Sequence, residues 1–117
     1  MEENLQINIK KLNDKNKALL IGQIYRQCLI NLGKSPDYHV YDLSEDFLNA
    51  NKNKVEGSFL RKVKDYYLTL DCLERIMFIN DCLEKGRHYK FWYLNFYFVK
   101  DYSEKLKQCF ASVAKAF

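Results

Sequence analysis

The sequence predicts an all-α protein, a small compact helical domain of about five to six helices. Three observations carry that expectation. One proline and four glycines in 117 residues leave few obligatory breaks, which disfavours a turn-rich β sandwich. Apolar residues recur at helical spacing in several windows. Capping residues stand ahead of some of those windows and glycines behind them. With 48% hydrophobic and 29% charged residues, the chain has a globular composition and enough length to bury a core without disulfides or metal.

The first helix lies in "KNKALLIGQIYRQCLINLGKSP", where Ala18, Ile21, Tyr25, Cys28, Leu29 and Leu32 form one stripe before Gly33 and Pro36 stop it. Gly22 costs about 1 kcal/mol relative to alanine inside a helix and permits a close crossing. "KSPDYHVYD" reads as a loop, and Ser44 caps a short helix over "LSEDFLNAN". The acidic pair Glu45–Asp46 at its start suits the helix dipole and needs no acid–base role. The polar "NANKNKVEG" is the candidate hinge between an N-terminal helical portion, 1–57, and a C-terminal portion, 58–117, packed together.

Ser58 caps the next predicted helix, whose broad apolar face is Phe59, Leu60, Val63, Tyr66, Tyr67 and Leu70. Asp71 and Glu74 form a D-x-x-E cap for a helix carrying Leu73, Ile76, Met77, Ile79 and Leu83 to Gly86, with an Asp71–Arg75 ion pair one turn apart. A short helix follows across about His88 to Leu94. Asp101 and Glu104 repeat the cap before a last helix. Its stripe of Tyr102, Leu106, Cys109, Phe110, Val113 and Phe117 faces the core, and Glu104, Lys107, Gln108, Ala111 and Lys115 face away.

Several function classes are disfavoured. Cys28, Cys72, Cys82 and Cys109 show no C-x-x-C pair and no histidine at ligand spacing, so all four read as buried packing residues, with no metal. His39 and His88 lie in unrelated contexts, with no H-E-x-x-H, G-x-S-x-G or phosphate loop, and His88 reads as a solvated residue. No enzyme activity and no cofactor are expected. "MEENLQINIKK" resembles neither a secretory signal nor a transit peptide, and "FWYLNFYFV" is too short to span a membrane, so a cytoplasmic protein without membrane contact is expected. Fifteen lysines against four arginines, with frequent asparagine, suit a bacterial chain from an AT-rich genome.

Charge divides unevenly. Residues 1–58 hold eight Lys+Arg and eight Asp+Glu, whereas 59–117 hold eleven and seven, so the whole +4 excess lies in the second half. That asymmetry suggests a division of labour.

The stretch "LDCLERIMFINDCLEKG" resembles the opening of the region 4 DNA-binding domain of sigma factors and related phage transcription regulators. Leu70, Asp71, Glu74, Arg75 and Gly86 carry the likeness, which covers residues 68–117. It implies a C-terminal trihelical, helix-turn-helix-like portion. The chain departs from that family in the second helix and turn, where Phe91, Trp92, Tyr93, Asn95 and Phe96 stand in place of small residues. Asp101 replaces the usual serine cap.

Seven aromatics fall between His88 and Phe98. In a short helix Tyr89, Trp92, Tyr93 and Phe96 would share one face, and the leading expectation is a small aromatic core. The competing readings are a base-stacking platform flanked by Arg87, Lys90 and Lys100, and an interfacial membrane belt.

The expected function is therefore a small DNA-binding or transcription-associated protein, whose partner is duplex DNA or the transcription machinery. The last helix would enter the major groove, with Gln108 at a base edge and Lys105, Lys107 and Lys115 on phosphates. Glu104 on that face opposes tight binding unless its cap holds it away. The alternative is a non-enzymatic helical interaction or dimerisation module without nucleic-acid binding, including a homodimer, that uses exposed rings. A DNA binder needs its cations on one continuous surface; an interaction module needs exposed rings.

Overall fold

The ends of each helix show why the chain turns where it does. The computed structural model describes residues 12–117; the N-terminal stretch read for targeting signals, residues 1–11, lies outside them. Asn13 accepts the Asn16 N–H at 2.8 Å and starts α1, Asp14–Asn31. Gly33, at φ 83°, releases the chain from it. Ala18, Ile21, Tyr25, Cys28 and Leu29 are buried along α1, as its spacing predicts. A 3₁₀ turn, Val40–Asp42, interrupts the expected loop and delivers Val40 to the core. Ser44 accepts the Phe47 N–H at 3.1 Å and caps α2, Glu45–Ala50.

Helix α3, Val55–Thr69, starts before the expected Ser58 cap, behind Lys54. Gly57 explains the shift: a Cβ there would lie 1.9 Å from the Asn51 carbonyl oxygen, so the chain enters the helix straight from a tight turn. Asp71 and Glu74 form the predicted reciprocal capping box at the start of α4, Cys72–Phe78. The Asp71–Arg75 pair does not form. Arg75 instead donates to the Tyr67 and Leu68 carbonyls, both at 3.1 Å, and satisfies the end of α3.

Helix α4 runs on into a π-helical turn, Ile79–Leu83. Wider turns rotate the residues that follow. The buried set across α4 and this turn is Met77, Phe78, Asp81, Cys82, Leu83 and Glu84, while the predicted Leu73 is exposed and Ile76 and Ile79 are half-buried. Gly22 of α1 meets this turn so closely that a Cβ would sit 2.0 Å from the Cys82 carbonyl oxygen. That is the close crossing its place in the sequence suggested.

The short helix expected across 88–94 is reduced to one 3₁₀ turn, Trp92–Asn95, within an irregular connection. Aromatics and asparagine are weak helix formers, and tertiary contacts override the little preference they have. Helix α5, Val99–Ala116, then begins behind Phe98, which makes no side-chain cap, so Asp101 lies in the first turn and is not the cap. Its buried and exposed faces follow the predicted stripe. Helix α5 packs along α1, which also contacts α3 and the π turn. One buried cluster takes side chains from Ala18 through Val113. All regular elements among the described residues are helical, and none of these helices is long and apolar enough to cross a membrane.

The cysteines divide. Cys28 and Cys82 are buried, Cys109 is half-buried, and Cys72 is exposed at the first position of α4.

Candidate interaction surface: the aromatic loop

The aromatic stretch is not the core. The fully buried rings belong to Tyr25 and Phe78. Between 89 and 98, Trp92, Tyr93 and Tyr97 are half-buried, whereas Tyr89, Phe91, Leu94, Phe96 and Phe98 are exposed, Tyr89 and Phe98 at 72% and 83%. The loop therefore has an inner and an outer layer.

The inner layer is organised by Asp81, which the π turn places inside the fold at 3% exposure. Trp92 Nε1 donates to one carboxylate oxygen at 3.3 Å and the Tyr102 hydroxyl to the other at 2.9 Å. The Tyr93 ring stacks on Tyr102 with centroids 3.7 Å apart, and Trp92 meets Tyr102 edge-on at 5.9 Å. Burial pushes the Asp81 carboxyl above its usual range, against the two hydrogen bonds that favour its charge. Tyr102 is pushed up in turn by its own burial and by Asp81.

A second buried acid fixes the base of the loop. Glu84, at 4% exposure, has His39 Nδ1 2.7 Å from one oxygen and His88 Nε2 2.8 Å from the other. The sequence places the two histidines in unrelated contexts; the fold brings them to one carboxylate. Arg26 donates to the Leu83 carbonyl at 2.8 Å, and Arg87 pairs with Asp37. The loop base is thus tied to both α1 and the 37–39 segment. The carboxylate occupies the space between the two imidazoles, so they do not converge on a shared ligand position, and no cluster of His, Cys, Asp or Glu among the described residues can hold a metal ion.

The candidate nucleic-acid residues do not form one face. Lys90 lies 5.5 Å from the Phe91 ring centroid and Lys100 is exposed at the start of α5, so these two border the aromatic loop. Arg87 is engaged with Asp37 beside them. Lys105 and Lys107, two residues apart on α5, point about 200° apart around the helix. Lys105 lines a cleft of about 370 Å³ with Tyr66, Leu73, Met77 and Cys109, while Lys107 lies on the other flank beside Asp14 and Lys15. Gln108 borders both clefts, and Lys115 is exposed near the C-terminal end of α5. Asp101 and Glu104 are exposed on the same helix.

Asp81 and Glu84 escaped the sequence reading because acids are read as solvated, although they follow Met77 by four and seven positions and so share its helix face. A readable signal lies alongside them: from Lys85 to Lys100 the chain has four Lys/Arg and no Asp or Glu. No protein-family model, no curated protein and no solved structure matches the chain. The likeness to sigma region 4 rests on Leu70, Asp71, Glu74, Arg75 and Gly86 alone.

Proposed function

We propose that the protein is a non-enzymatic helical interaction module whose aromatic loop docks an acidic, apolar-bearing segment of a partner protein. The observation that carries this reading is the pairing of an anchored inner layer with rings turned outward. Trp92 and Tyr102 are tied to buried Asp81, yet Phe91, Leu94, Phe96 and Phe98 are exposed. Phe91 and Phe96 lean on the inner rings Tyr93 and Trp92, and side chains braced in this way have less entropy to lose on binding. Exposed Lys90 and Lys100 on the stretch that carries the rings favour a negatively charged partner, with Asp101 bordering Phe96 and Phe98 on one side. Exposed Leu94 within the patch suits a protein surface better than stacked bases.

DNA binding in transcription remains the second reading, favoured by the exposed Lys90, Lys100, Lys105, Lys107 and Lys115. Against it, the cations are spread around α5, and Asp101 and Glu104 stand among them.

A displayed peptide library, selected on the intact protein and counter-screened with Phe91→Ser/Phe98→Ser, separates these readings. Selected peptides should carry acidic residues around an apolar anchor, and the double variant should weaken them at least about tenfold with its melting temperature preserved. Binders indifferent to the two rings would refute the docking surface. Retention of single-stranded or duplex DNA at low salt, lost on replacing the lysines, would transfer the function to nucleic acid.

A further inference from the structure

We infer that the cleft between α3, α4 and α5 is a small-molecule site whose ligand is a free α-amino acid with an apolar side chain. The cleft holds about 370 Å³, near the lower end of the range for ligand pockets, about 300–1,000 Å³. At about 30 Å³ for each water-sized unit, that is room for roughly a dozen non-hydrogen atoms. A nucleotide or a peptide does not fit within it. Burial divides the lining into an interior and a rim. Met77 is buried and Tyr66, Leu70, Tyr97 and Cys109 are half-buried, whereas Asp71, Glu74 and Lys105 are exposed. The interior suits an apolar side chain and gives a wholly polar molecule little to bury against.

The rim selects the head group. Asp71 and Glu74 each spend one carboxylate oxygen on the other's backbone N–H, at 2.8 and 3.0 Å, and keep the second. Lys105 approaches from α5 and takes part in none of the ion pairs among the described residues. Charges of both signs thus border one small space without neutralising each other. A plain carboxylate would face two anions there, and a plain amine would face the lysine. A zwitterion matches both, with its carboxylate on Lys105 beside the Gln108 amide and its ammonium on the second oxygen of Glu74. Tyr97 links the cleft to the aromatic loop: its ring lies 6.4 Å from that of Tyr102, which holds Asp81. An occupied cleft therefore braces the inner layer. Any effect on docking rests on the proposed function; the site itself does not.

The intact, isotope-labelled protein titrated with L-leucine, L-methionine and L-phenylalanine, and followed by amide NMR, tests the site. At least one of the three should saturate at millimolar concentration or below, with shifts centred on Leu70, Leu73, Met77, Tyr97 and Cys109. Its N-acetyl and carboxamide derivatives should each bind at least about tenfold more weakly, since each lacks one charged group. Glycine and serine should leave the spectrum unchanged. Glu74→Gln and Lys105→Gln should weaken the free amino acid similarly with the melting temperature kept, because glutamine also serves in a capping box and Lys105 is exposed. The wild-type titrations decide without the variants: no saturation by any of the three, a derivative that binds as well as the free amino acid, or shifts centred elsewhere would overturn the site. Shifts that leave Trp92 and Tyr93 unmoved would overturn its coupling to the loop.

Discussion

Replacing Asp81 with alanine should loosen the aromatic loop from within, and the structure allows the loss to be sized. The Tyr102 hydroxyl, 2.9 Å from the carboxylate, makes a charge-assisted bond in a shielded site, worth about 1.5–3 kcal/mol. The Trp92 bond is long at 3.3 Å and adds about 0.5 kcal/mol. Lys85, 3.9 Å away with a half-exposed side chain, contributes less than about 1 kcal/mol after solvent screening. Relief of the buried charge offsets part of this, leaving a net loss of about 2–3 kcal/mol. In a chain of this size that is roughly a 10 °C fall in melting temperature. Asp81→Asn should instead stay within about 1 kcal/mol of wild type, since its oxygen accepts from Trp92 and its amide donates to a reoriented Tyr102 hydroxyl.

The pH dependence of this pair has a definite sign. The Asp81 carboxyl is raised in the fold by burial, so the folded chain takes up its proton more readily than the unfolded chain. The stability associated with the protonated form is fully present below the ordinary aspartate value of about 3.9 and is lost as pH rises through the folded value. Asparagine is always neutral and keeps it. Wild type should therefore lose stability relative to Asp81→Asn between about pH 4 and neutrality, and urea melts of both proteins across that range measure the gap. Asparagine as damaging as alanine at pH 7 would show that charge, and not acceptor capacity, orders the loop; two harmless variants would show that Asp81 does not order it.

Gly22→Ala drives a Cβ to 2.0 Å from the Cys82 carbonyl oxygen and should cost more than about 3 kcal/mol in urea unfolding. Gly33→Ala, strained only by its φ of 83°, should cost about 1–2 kcal/mol; equal losses would remove the close crossing. Glu84→Ala leaves both histidines without their shared acceptor and should cost about 2–4 kcal/mol and expose the loop to proteolysis, while Glu84→Gln retains part of the network and should be milder. Trp92→Ala should lose about 2 kcal/mol, below the value of a fully buried tryptophan, and Phe98→Ser less than about 0.5 kcal/mol; a Phe98 loss matching Trp92 would contradict the two-layer loop.

What the sequence reveals here is local, and what it conceals is tertiary. The stripe from Ala18 to Leu29 and the caps at Ser44 and Asp71 depend on neighbours a turn or so away, and each forms as read. Ser58 and Asp101 carry the same capping chemistry but lose the position, because Gly57 packs on Asn51 and α5 starts directly behind Phe98. The π turn is harder to read, since nothing in "INDCL" marks a wider helix. Asp81 and Glu84 are hidden by their type: they follow Met77 at helical spacing, yet as acids they look like ordinary solvated residues. The aromatic loop is misleading for a related reason: seven rings in one stretch suggest a core, but α1 and α5 have already filled the interior with Tyr25, Leu29, Phe110 and Val113.

Two energetic costs fall in one place. Burying the Asp81 and Glu84 carboxylates is expensive even when both are hydrogen-bonded, and apolar replacements of similar volume are often at least as stabilising. Leaving Phe91, Leu94, Phe96 and Phe98 in water forgoes burial worth about 1.5–3 kcal/mol for a large apolar side chain. A chain optimised for stability alone has no use for either. Together they make physical sense: the buried acids hold the inner rings in a fixed arrangement, and that arrangement prevents the outer rings from collapsing onto the fold. The cost in stability is then the condition for an apolar surface that stays open, and relieving the first with Asp81→Leu should let the loop close over the second. Such a variant should gain protection of residues 84–98 in hydrogen exchange while losing peptide capture. Retained capture with unchanged exchange would separate the buried acids from the surface they are argued to hold.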